Sequence, residues 1–119
     1  MTHIGPYKYH YRPGYGSAIL LLEFISGVDD ESFTSDLLYA LKSIEPKIMG
    51  HSDIWMNDTF TYTIHSTAGN FTLSKDTWGF AFIHAEDNQD CLGTINLLLL
   101  EDVRFKKIEI NFDDYKTTK

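Results

Sequence analysis

The sequence lacks the features of a disulfide-stapled, metal-bound or membrane-spanning protein. One cysteine occurs in 119 residues, so no internal disulfide can form and no zinc site can be built from several thiolates. No apolar run approaches the length that crosses a bilayer, and residues 1–15 contain no apolar segment of the signal-peptide type. We therefore expect a cytoplasmic protein that makes no contact with a membrane.

Motifs for catalysis and cofactor binding are also missing. The eight serines include no GxSxG elbow, and no GxxxxGK[ST] or GxGxxG phosphate loop occurs. His84, Asp87 and Asp90 come closest to a metal cluster, but a strand end followed by a helix cap accounts for the same residues. We therefore predict no catalytic residue, no cofactor and no metal ligand, and we expect that the protein is not an enzyme.

Basic residues are scarce in the body of the chain. The formal net charge is −7, and residues 17–103 contain fourteen acidic side chains but only three lysines. Such a balance opposes binding to phosphate backbones and favours basic partners, although acidity also serves solubility. We expect a protein partner and no nucleic acid; the oligomeric state does not follow from the sequence.

The spacing of apolar residues predicts an α+β fold over residues 1–119 as a single domain. Alternation predicts a hairpin within residues 7–26, three consecutive strands from residue 59 to residue 85, and a last strand over residues 108–112. Helix-period spacing predicts one helix within residues 28–46 and a second after residue 87. Helices and sheet must bury their apolar faces on each other. We therefore expect a two-layer sandwich in which an antiparallel sheet of about five strands is packed by two helices.

The chain around residues 78–112 organises this predicted fold. Trp78, Phe80 and Phe82 alternate with smaller residues, which predicts a central strand that buries these three aromatic side chains. The run that follows has helix period, and Asp87 is the expected N-cap. A buried strand over residues 94–100 is the competing interpretation, because the run is continuously apolar.

Two other segments carry specific expectations. We expect Asp29 to cap the first helix and Pro46 to end it. Residues 47–58 have no regular pattern, so this segment is interpreted as a loop or as the beginning of a strand at Ile54.

The N-terminal strand has two contrasting faces. Tyr7, Tyr9 and Tyr11 alternate with Lys8, His10 and Arg12, so one face carries tyrosines and the other carries cations. Single-stranded nucleic acid binders combine stacking and charge in this way. An edge strand with packed tyrosines is the simpler interpretation, and the acidic remainder of the chain favours it.

Aromatic side chains beside carboxylates suggest where a basic partner would bind. An aromatic anchor supplies desolvated contact, and the acids around it steer the encounter. Trp55 has the alternative role of a core tryptophan at the start of a strand. The predicted partner-binding residues are Asp53, Trp55, Asp58, Glu86, Asp87 and Asp90.

The small size, the acidity and the helix-then-strand segment over residues 87–112, which includes INLLLLEDVRFKKIEINF, resemble bacterial immunity proteins, including those paired with contact-dependent growth inhibition toxins. The resemblance implies binding and neutralisation of a cognate toxin domain, often a nuclease, and it assigns no individual residue a role. The alternative is a small-molecule binding domain or enzyme with a pocket between helix and sheet, because the aromatic residues around Trp78 could line a cavity.

Overall fold

A computed structural model describes residues 7–14, 16–54, 59–76 and 79–115 of the chain. These residues form one seven-stranded sheet and two α-helices, with the strands in the order β3-β4-β5-β6-β2-β1-β7. Short 3-10 helices cover Lys42–Ile44 and Phe112–Tyr115. The elements are β1 Tyr7–Pro13, β2 Leu20–Phe24, α1 Phe33–Ala40, β3 Lys47–Ile54, β4 Thr59–His65, β5 Phe71–Asp76, β6 Ala81–His84, α2 Gln89–Leu100 and β7 Phe105–Lys107.

The α+β class and the two helices are confirmed, whereas the expected count of about five strands is wrong. Residues 47–54 form the full strand β3, which pairs antiparallel with β4 around an irregularity between Ile48 and Gly50. These residues adopt an extended conformation because they pair with the regular strand β4, although polar and apolar residues do not alternate in their own sequence. The sheet is also not wholly antiparallel, because β7 pairs parallel with β1.

Both helices pack against the same face of the sheet. Phe33 of α1 contacts the rings of Tyr7 and Phe24, and Asn96 of α2 accepts a hydrogen bond from the Tyr9 hydroxyl at 3.0 Å. Strand alternation puts the buried apolar residues of β1, β2, β5 and β6 on this face, which we call the core face. The opposite face, which we call the outer face, carries mainly polar side chains.

The strand β6 is central, as predicted, but its faces are reversed. Ala81 and Ile83 are fully buried, whereas Phe80 is exposed and Phe82 is only half-buried on the outer face. The register explains the reversal, because Ala81 lies opposite the large buried side chain of Phe24 and leaves room for it. Trp78 lies outside the described residues.

The two helices have the expected apolar faces but begin later than predicted. The helix α2 runs from Gln89 to Leu100, which excludes a strand over residues 94–100, and its N-cap is Asn88. The helix α1 begins at Phe33, because residues 28–32 form turns in which the Asp30 carboxylate accepts the Ser32 amide at 2.8 Å. Neither helix therefore uses the predicted aspartate as its N-cap.

The last strand begins earlier in the sequence than predicted. The pattern over residues 108–112 predicts a strand, but β7 covers only Phe105–Lys107, and Phe112 begins a 3-10 helix. Phe105 is buried, and its ring lies 4.9 Å from that of Tyr7, so it fills a core position that the alternating isoleucines do not reach. Tertiary packing, and not alternation, determines where this strand lies.

A charged network joins the helices to the N-terminal strand. The Arg104 guanidinium bonds Asp36 at 2.9 Å and Asp102 at 2.8 Å, and the Tyr7 hydroxyl donates to Asp36 at 2.6 Å. The hydrogen bond from Arg104 is the main cause that lowers the pKa of Asp102. Because these groups are only partly exposed, they hold the ends of α1, α2 and β1 together.

In the described part of the chain, no helix has the length and apolar character needed to cross a membrane.

Candidate binding cleft

A surface cleft of about 850 Å³ opens where β6 leaves the sheet. One wall is the β4–β5 hairpin and the other is the turn that connects β6 to α2. This volume falls in the range of ligand sites, roughly 300–1,000 Å³. The lining residues are Thr63, Gly69, Asn70, Phe71, Thr72, His84, Ala85, Glu86, Asp87 and Asn88.

The hairpin wall is built by a tight turn at residues 66–70. The Ser66 hydroxyl donates to the Gly69 carbonyl at 2.6 Å and accepts the Ala68 amide at 3.2 Å. This turn sets the register of β4 with β5, which places Thr63 opposite Thr72, and the pairing of β5 with β6 places Thr72 opposite His84. Alternation then aligns these three side chains on the outer face, where they form the floor of the cleft.

A clamp between the two walls holds the cleft open at a defined width. The Asn88 side-chain amide donates to the Ala68 carbonyl at 3.4 Å. It lies directly against Gly69, where a Cβ atom would overlap the amide group. Gly69 also has a φ of 126°, which residues with side chains rarely adopt. The position therefore requires glycine for both its conformation and its space.

Gln89 anchors the first turn of α2 to the sheet. Its amide oxygen accepts the Leu20 amide at 2.8 Å, and its amide nitrogen donates to the carbonyls of Leu20 at 3.2 Å and Ala85 at 3.1 Å. The side chain thus pairs with the first residue of β2 as a neighbouring strand would. This pairing fixes the turn that carries Glu86 and Asp87.

The electrostatic character of the cleft is negative. Glu86 and Asp87 are exposed at its mouth, and neither forms an ion pair with another described residue. No lysine or arginine is among the described lining residues. Burial lowers the pKa of His84, and the nearby Arg12 lowers it further while Glu86 opposes the shift. His84 is therefore neutral at pH 7 and does not offset the two carboxylates.

The predicted partner-binding residues are divided between the two ends of the sheet. Glu86, Asp87 and the exposed Asp90 lie together at the end that holds the cleft, which we call the cleft end. Asp53 lies near the end of β3 and pairs through its backbone with Phe60, at the opposite end of β4, which we call the far end. Trp55 and Asp58 lie outside the described residues.

The metal alternative at the cleft end gains no support from geometry. In the described ranges, no group of three or more histidine, cysteine, aspartate or glutamate side chains is arranged to hold a metal ion. His84, Asp87 and Asp90 therefore do not converge. The only cysteine, Cys91, is buried in the core as predicted, and burial raises its pKa.

The N-terminal strand does not present a row of aromatic side chains for stacking. Tyr7 and Tyr9 are buried in the core, and burial raises the pKa of both hydroxyls. On the outer face, Arg12 is only 6% exposed and donates to Glu23 at 2.8 Å. The tyrosines are packed, as the simpler interpretation expected, but β1 is not an edge strand because β7 lies outside it.

Sequence reasoning missed the hairpin wall of the cleft. Thr63, Asn70 and Thr72 appear in the sequence only as solvated strand and turn residues. The available signal is the turn over residues 68–70, which brings Thr63 beside Thr72, whereas His84 joins them through the pairing of β5 with β6. No family model matches the chain, and searches of curated proteins and of solved structures found no significant similarity to it.

Proposed function

We propose that this protein is an immunity-type binding protein that neutralises a cognate basic toxin domain, with a nuclease domain as the first candidate. The supporting observation is that Glu86 and Asp87, at the mouth of the cleft, form no ion pair with another described residue, and that the described lining has no cationic side chain. Carboxylates that lack an internal partner are available to a basic one. The overall charge of −7 adds long-range attraction of the same sign.

A single interface is large enough to include both ends of the sheet. The strand β4 has seven residues, which correspond to a length of about 23 Å. A standard interface covers roughly 800 Å² on each partner, or about 30 Å across. Asp53 at the far end and its sequence neighbours Trp55 and Asp58 therefore remain part of the proposed surface, with Trp55 as anchor and the acids as steering groups.

A growth assay tests the proposal directly. Toxin domains encoded beside this protein in its native host are expressed one at a time, with and without the protein. We expect the protein to restore growth for its cognate toxin and to form a stoichiometric complex with it. Toxicity that persists against every neighbouring domain, with no complex at low salt, would contradict the proposal.

Matched charge variants test whether the cleft is part of that surface. Glu86→Gln with Asp87→Asn removes two charges at the cleft, and Glu31→Gln with Glu101→Gln removes two charges elsewhere. Glu31 and Glu101 are exposed and lie beside the helices and not on the strands: Glu31 is in the turn before α1, and Glu101 is the C-cap of α2. We expect the cleft pair to weaken the complex and the control pair to leave it nearly unchanged. Equal effects of both pairs would show that only total charge matters.

The alternative function, binding of a small molecule, is favoured by the volume of the cleft. The site would then lie at the strand ends and not between helix and sheet, where Leu22, Phe24, Leu37 and Leu92 fill the described interface. A dialysed protein that releases a small molecule on denaturation, detected by mass spectrometry, would support this alternative. No released compound together with a stable toxin complex would favour the immunity function.

A further inference from the structure

Some hydrogen-bond acceptors that line the cleft have no partner among the described residues. The Asn88 amide nitrogen is engaged by the Ala68 carbonyl at 3.4 Å, and its oxygen makes no hydrogen bond within the described part of the chain. The Thr72 hydroxyl donates to the His84 carbonyl at 3.4 Å, which leaves its lone pairs available. The Asn88 amide oxygen and the lone pairs of the Thr72 hydroxyl are therefore acceptors without a partner among the described residues.

Free acceptors come from both walls of the cleft. The hairpin wall contributes the amide oxygen of the exposed Asn70, the opposite wall contributes Asn88 and the carboxylates of Glu86 and Asp87, and the Thr72 hydroxyl lies on the floor between them. The neutral imidazole of His84, whose ring is stacked on Phe82 at 5.9 Å, lies on the floor between them. A ligand that suits this site carries positive charge and several donors that point in different directions.

We propose that the cleft holds the guanidinium group of an arginine side chain from the basic partner, an inference that rests on the proposed function. A guanidinium has five donors in a planar fork and is weakly hydrated, so it can bond both walls at once. A lysine ammonium is a compact and strongly hydrated group, so it satisfies one wall at a time. The same planar group stacks favourably on ring faces such as that of His84.

Nuclear magnetic resonance titration with small probes tests this inference without the partner. The probes are Nα-acetyl-arginine amide, Nα-acetyl-lysine amide and the uncharged norleucine analogue, each added to the isotopically labelled full chain. We expect millimolar binding of the arginine probe, with shifts concentrated at Thr72, His84 and Asn88. Binding of the lysine probe should be about tenfold weaker, a ratio that corresponds to about 1.4 kcal/mol. The norleucine probe should cause no change.

Two variants distinguish a specific site from general attraction to acidic protein. Glu86→Gln with Asp87→Asn should abolish the response, and the control pair Glu31→Gln with Glu101→Gln should preserve it. Thr72→Val keeps the side-chain shape but removes the hydroxyl, so it should weaken arginine binding more than lysine binding. Unfolding curves of each variant establish that it is folded.

The outcomes separate this inference from the proposed function. Equal binding of arginine and lysine, shifts outside the cleft, or no shift at all would overturn the inference, even if a toxin complex forms. Arginine-selective shifts at the cleft would support it. If those shifts occur while no toxin domain is neutralised, the guanidinium site stands and the immunity function fails.

Discussion

The cleft end and the far end of the sheet both carry acidic residues, but they differ in how those residues are held. At the cleft end, the Asn88 contact to the hairpin and the three hydrogen bonds of Gln89 fix the turn that carries Glu86 and Asp87. At the far end, the described turn contacts include the Asp76 carboxylate, which accepts the Phe80 amide at 3.0 Å in an exposed position. Among the described residues, the turn that carries Glu86 and Asp87 is therefore preorganised by half-buried contacts, whereas the Asp76 contact to Phe80 is exposed.

The largest expected effect concerns the glycines of the two ends. Gly69→Ala forces a side chain into a φ of 126° and displaces Asn88, whereas Gly79→Ala meets only a φ of 88° with Asp29 at 3.7 Å. We expect losses in the free energy of unfolding of about 3 kcal/mol for Gly69→Ala and about 1 kcal/mol for Gly79→Ala. Urea denaturation of both variants measures the difference. Equal losses would indicate that the Asn88 clamp does not constrain the cleft end.

The next effect concerns the predicted anchor of the far end. Trp55→Ala should raise the dissociation rate of the toxin complex by an amount typical of a hot spot, about 2 kcal/mol or roughly thirtyfold. Phe80→Ala is the control, since Phe80 is an exposed aromatic residue next to β6. Surface plasmon resonance measures both dissociation rates. An unchanged rate for Trp55→Ala would confine the partner to the cleft end.

The Gln89 anchor should matter more for stability than its far-end counterpart. Gln89→Ala removes three half-buried hydrogen bonds and leaves the Leu20 amide without its acceptor, so we expect a loss of about 2 kcal/mol. Asp76→Ala removes an exposed contact to Phe80 and should cost less than about 1 kcal/mol. Thermal and urea unfolding of the two variants give the comparison. A larger loss for Asp76→Ala would reverse the difference drawn between the two ends.

Charge removal at each end should slow association. Glu86→Gln with Asp87→Asn should lower the on-rate about two- to tenfold at low salt, because the steering field weakens. Asp53→Asn with Asp58→Asn is the matched pair at the far end. On-rates of both pairs at two salt concentrations show which end steers the partner. If neither pair nor added salt changes the on-rate, the acidity serves only solubility.

The smallest effect is a pH dependence that originates at the cleft end. The folded chain lowers the pKa of His84, chiefly through burial, with Glu86 and Arg12 as its charged neighbours. The unfolded state therefore binds a proton first, and stability decreases as pH falls through about 6.5. His84→Gln lacks this term, so the stability difference between wild type and variant should shrink or reverse from pH 7.5 to pH 5.5. A difference that is constant over this range would show that His84 does not titrate on unfolding.

Local patterns were sufficient for the elements whose neighbours are close in sequence. The spacing of Phe33, Leu37, Leu41 and Ile44 predicts the buried residues of α1 and of the short 3-10 helix that follows it, and the turn at residues 68–70 joins β4 to β5 as predicted. Local patterns predicted only part of the candidate site. Glu86 and Asp87 follow from a strand end, but the hairpin wall that makes them part of a cleft depends on a register that alternation alone does not specify.

The α+β class, the two helices, the acidic surface and the order of the central meander could all be predicted, because each depends on composition or on contacts between neighbouring segments. Tertiary structure decided which face of β6 is buried, since Phe24 leaves space for alanine and not for phenylalanine. Two further features depend on tertiary structure. Residues 47–54 form a strand because they pair with β4, and β7 begins at Phe105 because it pairs with β1. The cleft belongs to the same category. Its walls come from two turns that meet only when the strands between them pair in one register.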